Sequence, residues 1–253
     1  DPIVTGADAG GLPQVKLIDP RTLAVRMDFL AYDAGFRGGV RVALGDVNGD
    51  GFDDIITGSG PGASAHVRVF DGRTGALIKN FFASGFAGGI YVGSGDVNGD
   101  GFADIIVGLG AGAVSLIQVF DGRSTVLIKN FFAFGAFAGG VRVAGGDLNG
   151  DGFDDILAGT GPGVAAEVRV FDDPGALAEA AARTIGEVAQ IAVRDRGRFM
   201  VALSGGATPR LTYTRLAQPP WIDALPWSRT WVFFGDERGV PPDHPESNYR
   251  MAQ

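Results

Sequence analysis

Three stretches of the chain place oxygen-bearing side chains at one fixed spacing. They read Asp46-Val-Asn48-Gly-Asp50-Gly-Phe52-Asp-Asp54, Asp96-Val-Asn98-Gly-Asp100-Gly-Phe102-Ala-Asp104 and Asp147-Leu-Asn149-Gly-Asp151-Gly-Phe153-Asp-Asp155. Their starts lie 50 and then 51 residues apart, so the loop is a periodic feature. Positions 1, 3, 5 and 9 of each copy carry a carboxylate or amide oxygen, and the main-chain carbonyl of position 7 (Phe52, Phe102, Phe153) adds another donor. Glycines at positions 4 and 6 let the backbone bend tightly enough to wrap an ion. Such a set suits a hard cation, and Ca²⁺, which accepts about six to eight oxygens in loose geometry, suits it better than Mg²⁺. A metal-free hairpin turn rich in Asp, Asn and Gly is the competing reading. Three copies that all keep the four positions favour Ca²⁺. Position 8 is Asp53, Ala103 and Asp154, varying as a non-ligand does. The spacing resembles the first part of an EF-hand loop, but position 12 holds Thr57, Val107 and Ala158 instead of a bidentate Glu.

The elements around these loops read as short strands. One period contains Asp54-Ile-Ile-Thr-Gly58, His66-Val-Arg-Val-Phe70, Ala76-Leu-Ile-Lys-Asn-Phe-Phe82 and Gly89-Ile-Tyr-Val-Gly93, separated by glycine-rich turns. β-Branched and aromatic residues in short runs bounded by such turns predict strands. Four strands in about fifty residues is the size of a propeller blade. Counted from the loop, blades fall at 1–46, 54–96 and 104–147, with two strands of a fourth at 155–172. The fold expected for residues 1–172 is therefore an incomplete β-propeller of about three and a half blades. The opening Asp1-Pro-Ile-Val-Thr-Gly aligns with Asp54-Ile-Ile-Thr-Gly58, which makes Asp1 the last residue of an acidic loop. The pairs Phe81-Phe82 and Phe131-Phe132 are read as packing between blades in preference to a sugar platform.

Composition changes after residue 172. Residues 1–172 hold 35 of the 42 Gly and a net charge of −8, whereas residues 173–253 hold 7 Gly, no Lys and no net charge. Acidity confined to spaced loops points to cations, and argues against nucleic acid or an anionic membrane as partners. The chain has no Cys, which excludes disulfides and thiolate zinc sites. It contains no run of apolar residues long enough to span a membrane.

From Asp173 the period turns helical. Asp173 suits an N-cap and Pro174 the first helical position, and Leu177, Ala181, Ile185, Val188 and Ile191 fall along one face. A strand, Phe199-Met-Val-Ala-Leu203, runs into Ser204-Gly-Gly-Ala-Thr-Pro209. A second helix is expected over 209–217, and a second strand, Thr230-Trp-Val-Phe-Phe234, ends in Gly235-Asp-Glu-Arg238. Alternating strands and helices predict a parallel, doubly wound α/β sheet, with 167–171 available as its first strand. The Ser-Gly-Gly-x-Thr turn before a helix brings main-chain N–H groups, hydroxyls and the helix dipole to one place, which suits a phosphate, although such turns also serve packing alone.

Two resemblances follow from these motifs. The D-x-N-x-D-G-F-x-D loop, the D-I-I-x-G strand after it and turns such as Gly60-Pro-Gly62 and Gly110-Ala-Gly112 resemble FG-GAP (integrin-α-type, or VCBS) repeats over residues 1–172. That resemblance implies Ca²⁺ at the residues named above, blades, and an extracellular setting. The strand–Ser204-Gly-Gly-Ala-Thr-Pro209–helix unit, Gly235-Asp236-Glu237-Arg238 and the stretch Val240 to Met251 resemble 6-phosphogluconolactonase of the glucosamine-6-phosphate isomerase-like superfamily over 167–253. It implies a phosphosugar held at Ser204, Gly205, Gly206 and Thr208, with Asp236, Glu237 and Arg238 as the catalytic candidates and Ser247 and Asn248 nearby. It also implies a cytoplasmic setting. Asp236–Arg238 as a structural ion pair, and Ser247-Asn248 as a helix cap, are the alternatives to those roles.

Members of that family carry, further along, a glycine-rich segment whose His serves lactone hydrolysis. The two His here, His66 and His244, stand in a strand and in a Pro-rich loop. The expectation is a calcium-binding repeat module, 1–172, joined to the N-terminal part of a lactonase-like domain, 173–253, with little or no hydrolysis. Hydrolysis of 6-phosphogluconolactone is the alternative. Val-Arg-Val-Phe-Asp occurs at 67–71 and again at 168–172, so the junction is read as a splice at a shared stretch, with self-association through open blade edges expected.

Overall fold

The computed structural model describes residues 2–135, 137–171, 174–203, 210–234, 241, 243–244, 247 and 249–250. The chain divides into two compact units, residues 1–133 with 137–172 and residues 134–136 with 173–253.

The first unit is a series of antiparallel meanders. The first sheet holds β1 (Ile3–Gly6), β2 (Gln14–Ile18) and β3 (Val25–Leu30), and the second holds β4 (Val40–Gly45), β5 (Asp54–Ser59), β6 (Ala65–Phe70) and β7 (Leu77–Ser84). The third holds β8 (Ile90–Gly95), β9 (Asp104–Leu109), β10 (Leu116–Phe120) and β11 (Leu127–Phe132), and the fourth β12 (Val141–Gly146), β13 (Asp155–Thr160) and β14 (Val168–Phe171). None of these sheets closes on itself.

Four strands per period is as expected, but the phase differs from the sequence reading. The acidic loop lies inside a sheet, as the hairpin joining its first two strands: Gly45 pairs with Asp54 and Gly95 with Asp104. The strand at 89–93, counted as the end of one blade, opens the next sheet. The reason is local. The position-9 carboxylate bonds back to the N–H of position 2, which closes a tight hairpin. The step between sheets falls at the Gly-Gly pairs 38–39, 88–89 and 139–140. Gly39, Gly89 and Gly140 have φ near +83° (82°, 84° and 83°), and their carbonyls accept from Gly60, Gly110 and Gly161 of the sheet just entered, each at 2.9 Å.

Consecutive sheets stack through their first strands, β4 against β8 and β8 against β12. β5 and β9 are buried along their whole length, which is why Asp-Ile-Ile-x-Gly reads as a nearly continuous apolar run. Between the second and third sheets lie Ile56, Val67, Val69, Ile90, Val92, Ile105 and Val107. Val15, Leu17, Val40, Ile55 and Phe70 fill the preceding gap. Glycine sockets make the approach close: a Cβ at Gly58 would lie 2.8 Å from Val92 Cγ1 and 3.0 Å from Ile90 Cγ1. The aromatics repeat the same step. Phe29 packs on Phe70, Phe81 on Phe120 and Phe131 on Phe171, with ring centroids 4.6, 4.9 and 4.9 Å apart. Phe81 and Phe131 thus pack between sheets, as expected, whereas their partners Phe82 and Phe132 alternate to the other face of the strand and are exposed.

The second unit runs α1 (Pro174–Arg196), β15 (Phe199–Leu203), α2 (Arg210–Leu216), α3 (Trp221–Ala224), a single 3₁₀ turn at Trp227–Arg229, and β16 (Thr230–Phe234). β15 and β16 pair in parallel, from Phe199↔Thr230 to Leu203↔Phe234, the β–α–β arrangement expected. Two expectations are corrected. β14 pairs with β13, Phe171 opposite Ile156, and so belongs to the repeat unit and not to this sheet. Its neighbour Glu167 also donates its N–H to Thr160 Oγ1 at 3.0 Å, which fixes that register. The buried stripe of α1 is Ala178, Ala182, Ala189 and Ala192, with Ile185 and Val188 partly buried beside it, while Ile191 is exposed. Alanines lie on the inner face because they let the helix approach Phe199, Leu216 and Leu225 closely. Gly186 gives the same close approach to the Trp221 ring, at 3.1 Å from a Cβ. Among the described residues no helix is long and apolar enough to cross a membrane.

Candidate functional site

Each acidic loop is a nest of side-chain-to-main-chain bonds. Asp46 Oδ1 accepts from Gly49 N at 2.7 Å and Asp50 N at 3.1 Å, and Oδ2 from Gly51 N at 2.8 Å. Asn48 Oδ1 accepts from Asp50 N at 2.9 Å, and Asp50 Oδ1 from Phe52 N at 3.0 Å. The second loop repeats the pattern through Asp96, Asn98 and Asp100 to within 0.1 Å. The third follows with Gly150 and Gly152 on Asp147, Asp151 N on Asn149 and Phe153 N on Asp151. This geometry requires φ of +76° to +88° at the glycines of positions 4 and 6, which explains why both are Gly in every copy.

The position-9 carboxylates are different. Asp54 and Asp104 are fully buried, and Asp155 nearly so. Asp54 Oδ2 accepts from Val47 N at 3.1 Å, while Oδ1 accepts from Gly72 N at 3.1 Å and Asn48 Nδ2 at 3.2 Å. Asp104 makes the same set with Val97 N, Gly122 N and Asn98 Nδ2. Burial raises Asp54 to about 6, and the nearby Asp46 and Asp71 push in the same direction against the two main-chain bonds. Asp104 is likewise raised to about 6 by burial, with Asp100 and Asp121 adding to it. Asp147, by contrast, is held below the usual carboxylate range by the N–H groups of Gly150 and Gly152.

Sequence reasoning missed two participants. Asn48 Nδ2 also lies 3.4 Å from Asp71 Oδ2, and Asn98 Nδ2 lies 3.2 Å from Asp121 Oδ2. Asp71 and Asp121 are held below the carboxylate range first by the hydroxyls of Thr74 and Ser124. The signal was the Asp-Gly-Arg-Thr/Ser turn at 71–74 and 121–124, on the same period as the loops. Its arginines lie over the loop aromatics, Arg73 4.8 Å from the Phe52 ring centre and Arg123 5.3 Å from that of Phe102. Position 8 also has a task. Ala103 N donates to Asp46 O at 2.8 Å and Asp154 N to Asp96 O at 2.9 Å, so each loop is tied to the one before it.

The donor set fits a hard cation in part. An oxygen can accept two bonds, and Asp46 Oδ2, Asn48 Oδ1 and Asp50 Oδ1 each accept one main-chain bond. Asp46, Asn48, Asp50 and the Phe52 carbonyl would hold the ion in the first loop, with their counterparts in the other two. Among the described residues, however, no three His, Cys, Asp or Glu side chains form a ready metal-holding group, because the position-9 carboxylate is drawn to the base of the hairpin.

In the second unit, Ser204, Gly205, Gly206, Thr208, Asp236, Glu237, Arg238 and Asn248 lie outside the described residues. The elements that lead to them are in place: β15 and β16 run parallel and end side by side at Leu203 and Phe234. Ser247 is buried, and its Oγ accepts from Arg250 N at 3.3 Å, the bond of a helix cap. His66 lies in β6, stacked on Phe82 with ring centres 4.4 Å apart, and His244 is exposed.

Comparison with known proteins divides the chain at the same place. Residues 46–107 and 96–158 match the FG-GAP-like repeat family, and residues 172–253 match the family of glucosamine-6-phosphate isomerases/6-phosphogluconolactonase. A probable chloroplastic 6-phosphogluconolactonase 4 from Oryza sativa subsp. indica is 42% identical over 86 residues, covering 34% of this chain and 26% of the rice protein. A 6-phosphogluconolactonase from Nostoc sp. is 43% identical over 86 residues, covering 34% of each. The crystal structure of a 6-phosphogluconolactonase from Shewanella baltica is 34% identical, with a TM-score of 0.29, over 32% of this chain and 33% of that one. The chain thus spans about a quarter to a third of the length of these relatives. It carries FG-GAP-like repeats in residues 46–158 and, over residues 172–253, is similar to 6-phosphogluconolactonases.

Proposed function

We propose that residues 1–172 form blades of a β-propeller whose three acidic loops bind Ca²⁺, and that this module is joined to a lactonase-like segment at 173–253. The observation that carries the reading is the repeated loop geometry. In all three copies the first, third and fifth residues curl the main chain around their own oxygens, and each retains acceptor capacity. All three copies also bury an acidic ninth residue. At Asp54 and Asp104 nearby carboxylates, Asp46 with Asp71 and Asp100 with Asp121, work against its charge, while Lys79 and Lys129 act on the same two groups from the other side. A divalent cation would relieve that repulsion. Its contribution to the fold is electrostatic, drawing the two ends of each hairpin loop together.

Thermal melting with calcium and with a chelator tests this. At calcium about a hundredfold above Kd the melting temperature of the repeat unit should rise by about 5–10 °C for each site filled, and so by about 15–30 °C with all three occupied. A melting point indifferent to calcium would overturn the proposal.

The similarity of 172–253 to lactonases favours a second reading, hydrolysis of 6-phosphogluconolactone. Such a reaction needs a base to activate water and donors for the developing oxyanion. Asp236 and Glu237 are the acidic candidates, Arg238 the cationic one, and Ser204, Gly205, Gly206 and Thr208 the phosphate cradle. His244, the one histidine in residues 173–253, lies in the Pro-rich stretch after them. The 253-residue chain is expected to show no hydrolysis above the spontaneous rate. An excess that disappears in Glu237→Gln would establish the second reading instead.

A further inference from the structure

Each acidic loop holds an asparagine followed directly by glycine: Asn48-Gly49, Asn98-Gly99 and Asn149-Gly150. Asn80 and Asn130, in β7 and β11, are followed by phenylalanine. A main-chain nitrogen with no side chain beside it is free to close on the preceding side-chain amide, so the loop pairs carry a chemistry that the strand pairs lack. We propose that Asn149 is a self-modification site, converting to aspartate and isoaspartate through a cyclic imide formed with Gly150, and doing so ahead of Asn48 and Asn98.

The reacting groups of the third loop are in place. Asn149 is exposed. Its Oδ1 accepts from Asp151 N at 2.8 Å, which curls the amide back along its own main chain. The same N–H supports the negative charge that grows on Oδ1 during attack. Gly150 N donates to Asp147 Oδ1 at 2.7 Å, so a carboxylate already meets the proton that must leave. In the reaction Gly150 N bonds to Asn149 Cγ, the Cγ–Nδ2 bond breaks, and the Gly150 proton ends on the departing ammonia. Water then opens the imide at one carbonyl or the other, giving aspartate or isoaspartate. Water is the only co-reactant.

The first two loops contain the same bonds, but there the pair is clamped. A Cβ at Gly49 would lie 2.6 Å from Phe102 Cε1, and one at Gly99 2.3 Å from Phe153 Cε1, so a ring of the following loop covers each glycine. Nothing lies within 4 Å of the same point at Gly150. The leaving nitrogens differ as well. Asn48 Nδ2 is held by Asp54 and Asp71, and Asn98 Nδ2 by Asp104 and Asp121. Asn149 Nδ2 meets one carboxylate among the described residues, Asp155 Oδ1 at 3.4 Å. The residue before each asparagine repeats the contrast: Val47 and Val97 are 1% and 8% exposed, Leu148 60%. Ring closure requires the glycine nitrogen and the amide carbon to move together, and only the third loop leaves both unclamped.

Incubating the full chain with chelator at mildly alkaline pH, followed by peptide mapping, reads each asparagine separately. The signals are the mass gain of an amide-to-acid change and the presence of isoaspartate. With chelator present, the outcome is independent of calcium binding. Asn149 should convert at least about tenfold faster than Asn48 and Asn98, with Asn80 and Asn130 unchanged. Phe153→Ala removes the ring over Gly99 and should bring Asn98 to within about threefold of Asn149, while Asn48, still under Phe102, stays slow. Equal rates at the three loops overturn the proposal, as does an Asn149 that keeps its amide or yields no isoaspartate. A Phe153→Ala chain in which Asn98 is unmoved, or in which Asn48 speeds up equally, overturns it too.

Discussion

Gly72→Ala is expected to lower the unfolding free energy of the repeat unit by about 3–5 kcal/mol. A Cβ at this position would overlap the Asp53 carbonyl oxygen and lie 2.9 Å from its carbon. The obstacle is main chain, so no rotamer change relieves it, and the turn must move away from the hairpin. That movement also breaks the bond from Gly72 N to buried Asp54 Oδ1, leaving a carboxylate without one of its donors. Overpacking costs about 1–3 kcal/mol and an unsatisfied buried group about the same again. Gly122→Ala should behave alike, because its Cβ meets Ala103 in the same way. Gly85→Ala is the control: nothing lies within 4 Å of its Cβ, and its backbone is not left-handed, so its effect should stay within about 0.5 kcal/mol. Chemical denaturation of the three variants checks the prediction. Equal midpoints for Gly72→Ala and Gly85→Ala would refute it.

Asp54→Ala should be nearly as damaging, at about 2–5 kcal/mol, since it strands the N–H groups of Val47 and Gly72 in the interior. Calorimetric titration should then find two calcium sites in place of three. The site is lost because Asp54 closes the hairpin that shapes the first loop, and Asp53→Ala, one residue earlier and outside those bonds, should keep all three. The same carboxylates give the metal-free protein a pH dependence of definite sign. Asp54 and Asp104 are raised from 3.8 to about 6 on folding, so the folded state binds the extra protons between those values. Stability with chelator present should therefore fall as pH rises from about 4 to about 6. Asp71, Asp121 and Asp147 are lowered instead. Their contribution is lost only as pH falls below 3.8, outside that window. A melting temperature flat between pH 4 and 6 would contradict the assignment.

The period of the loops made the strand count readable from the chain, because each Asp-Ile-Ile-x-Gly run and each glycine turn has a single local use. The grouping of strands into sheets was not readable in the same way. A period has no marked origin, and only the bonds of Asp54 to Val47 and of Gly60 to Gly39 show where one sheet ends. The loop oxygens were legible by type and spacing. The tie from Asp54 to Gly72 was not, since it joins residues eighteen apart through a main-chain donor that any residue but proline supplies. On α1, the apolar count favoured Ile191 and Val188, but the buried stripe is alanine. Close helix packing rewards small side chains, and a hydrophobic pattern ranks those below larger ones. The parallel pair β15 and β16 was visible as two apolar runs that end in glycine-containing turns.

Stacking in chain order has a consequence for synthesis. Each of the middle sheets is one unbroken segment, Val40–Ser84 and Ile90–Phe132, so it can form as soon as that segment leaves the ribosome. At about 5–20 residues per second a new sheet emerges every few seconds. Each arrival covers the apolar face left by its predecessor and opens one of its own. The nascent array therefore never exposes more than one such face at its growing end, however many sheets it has completed.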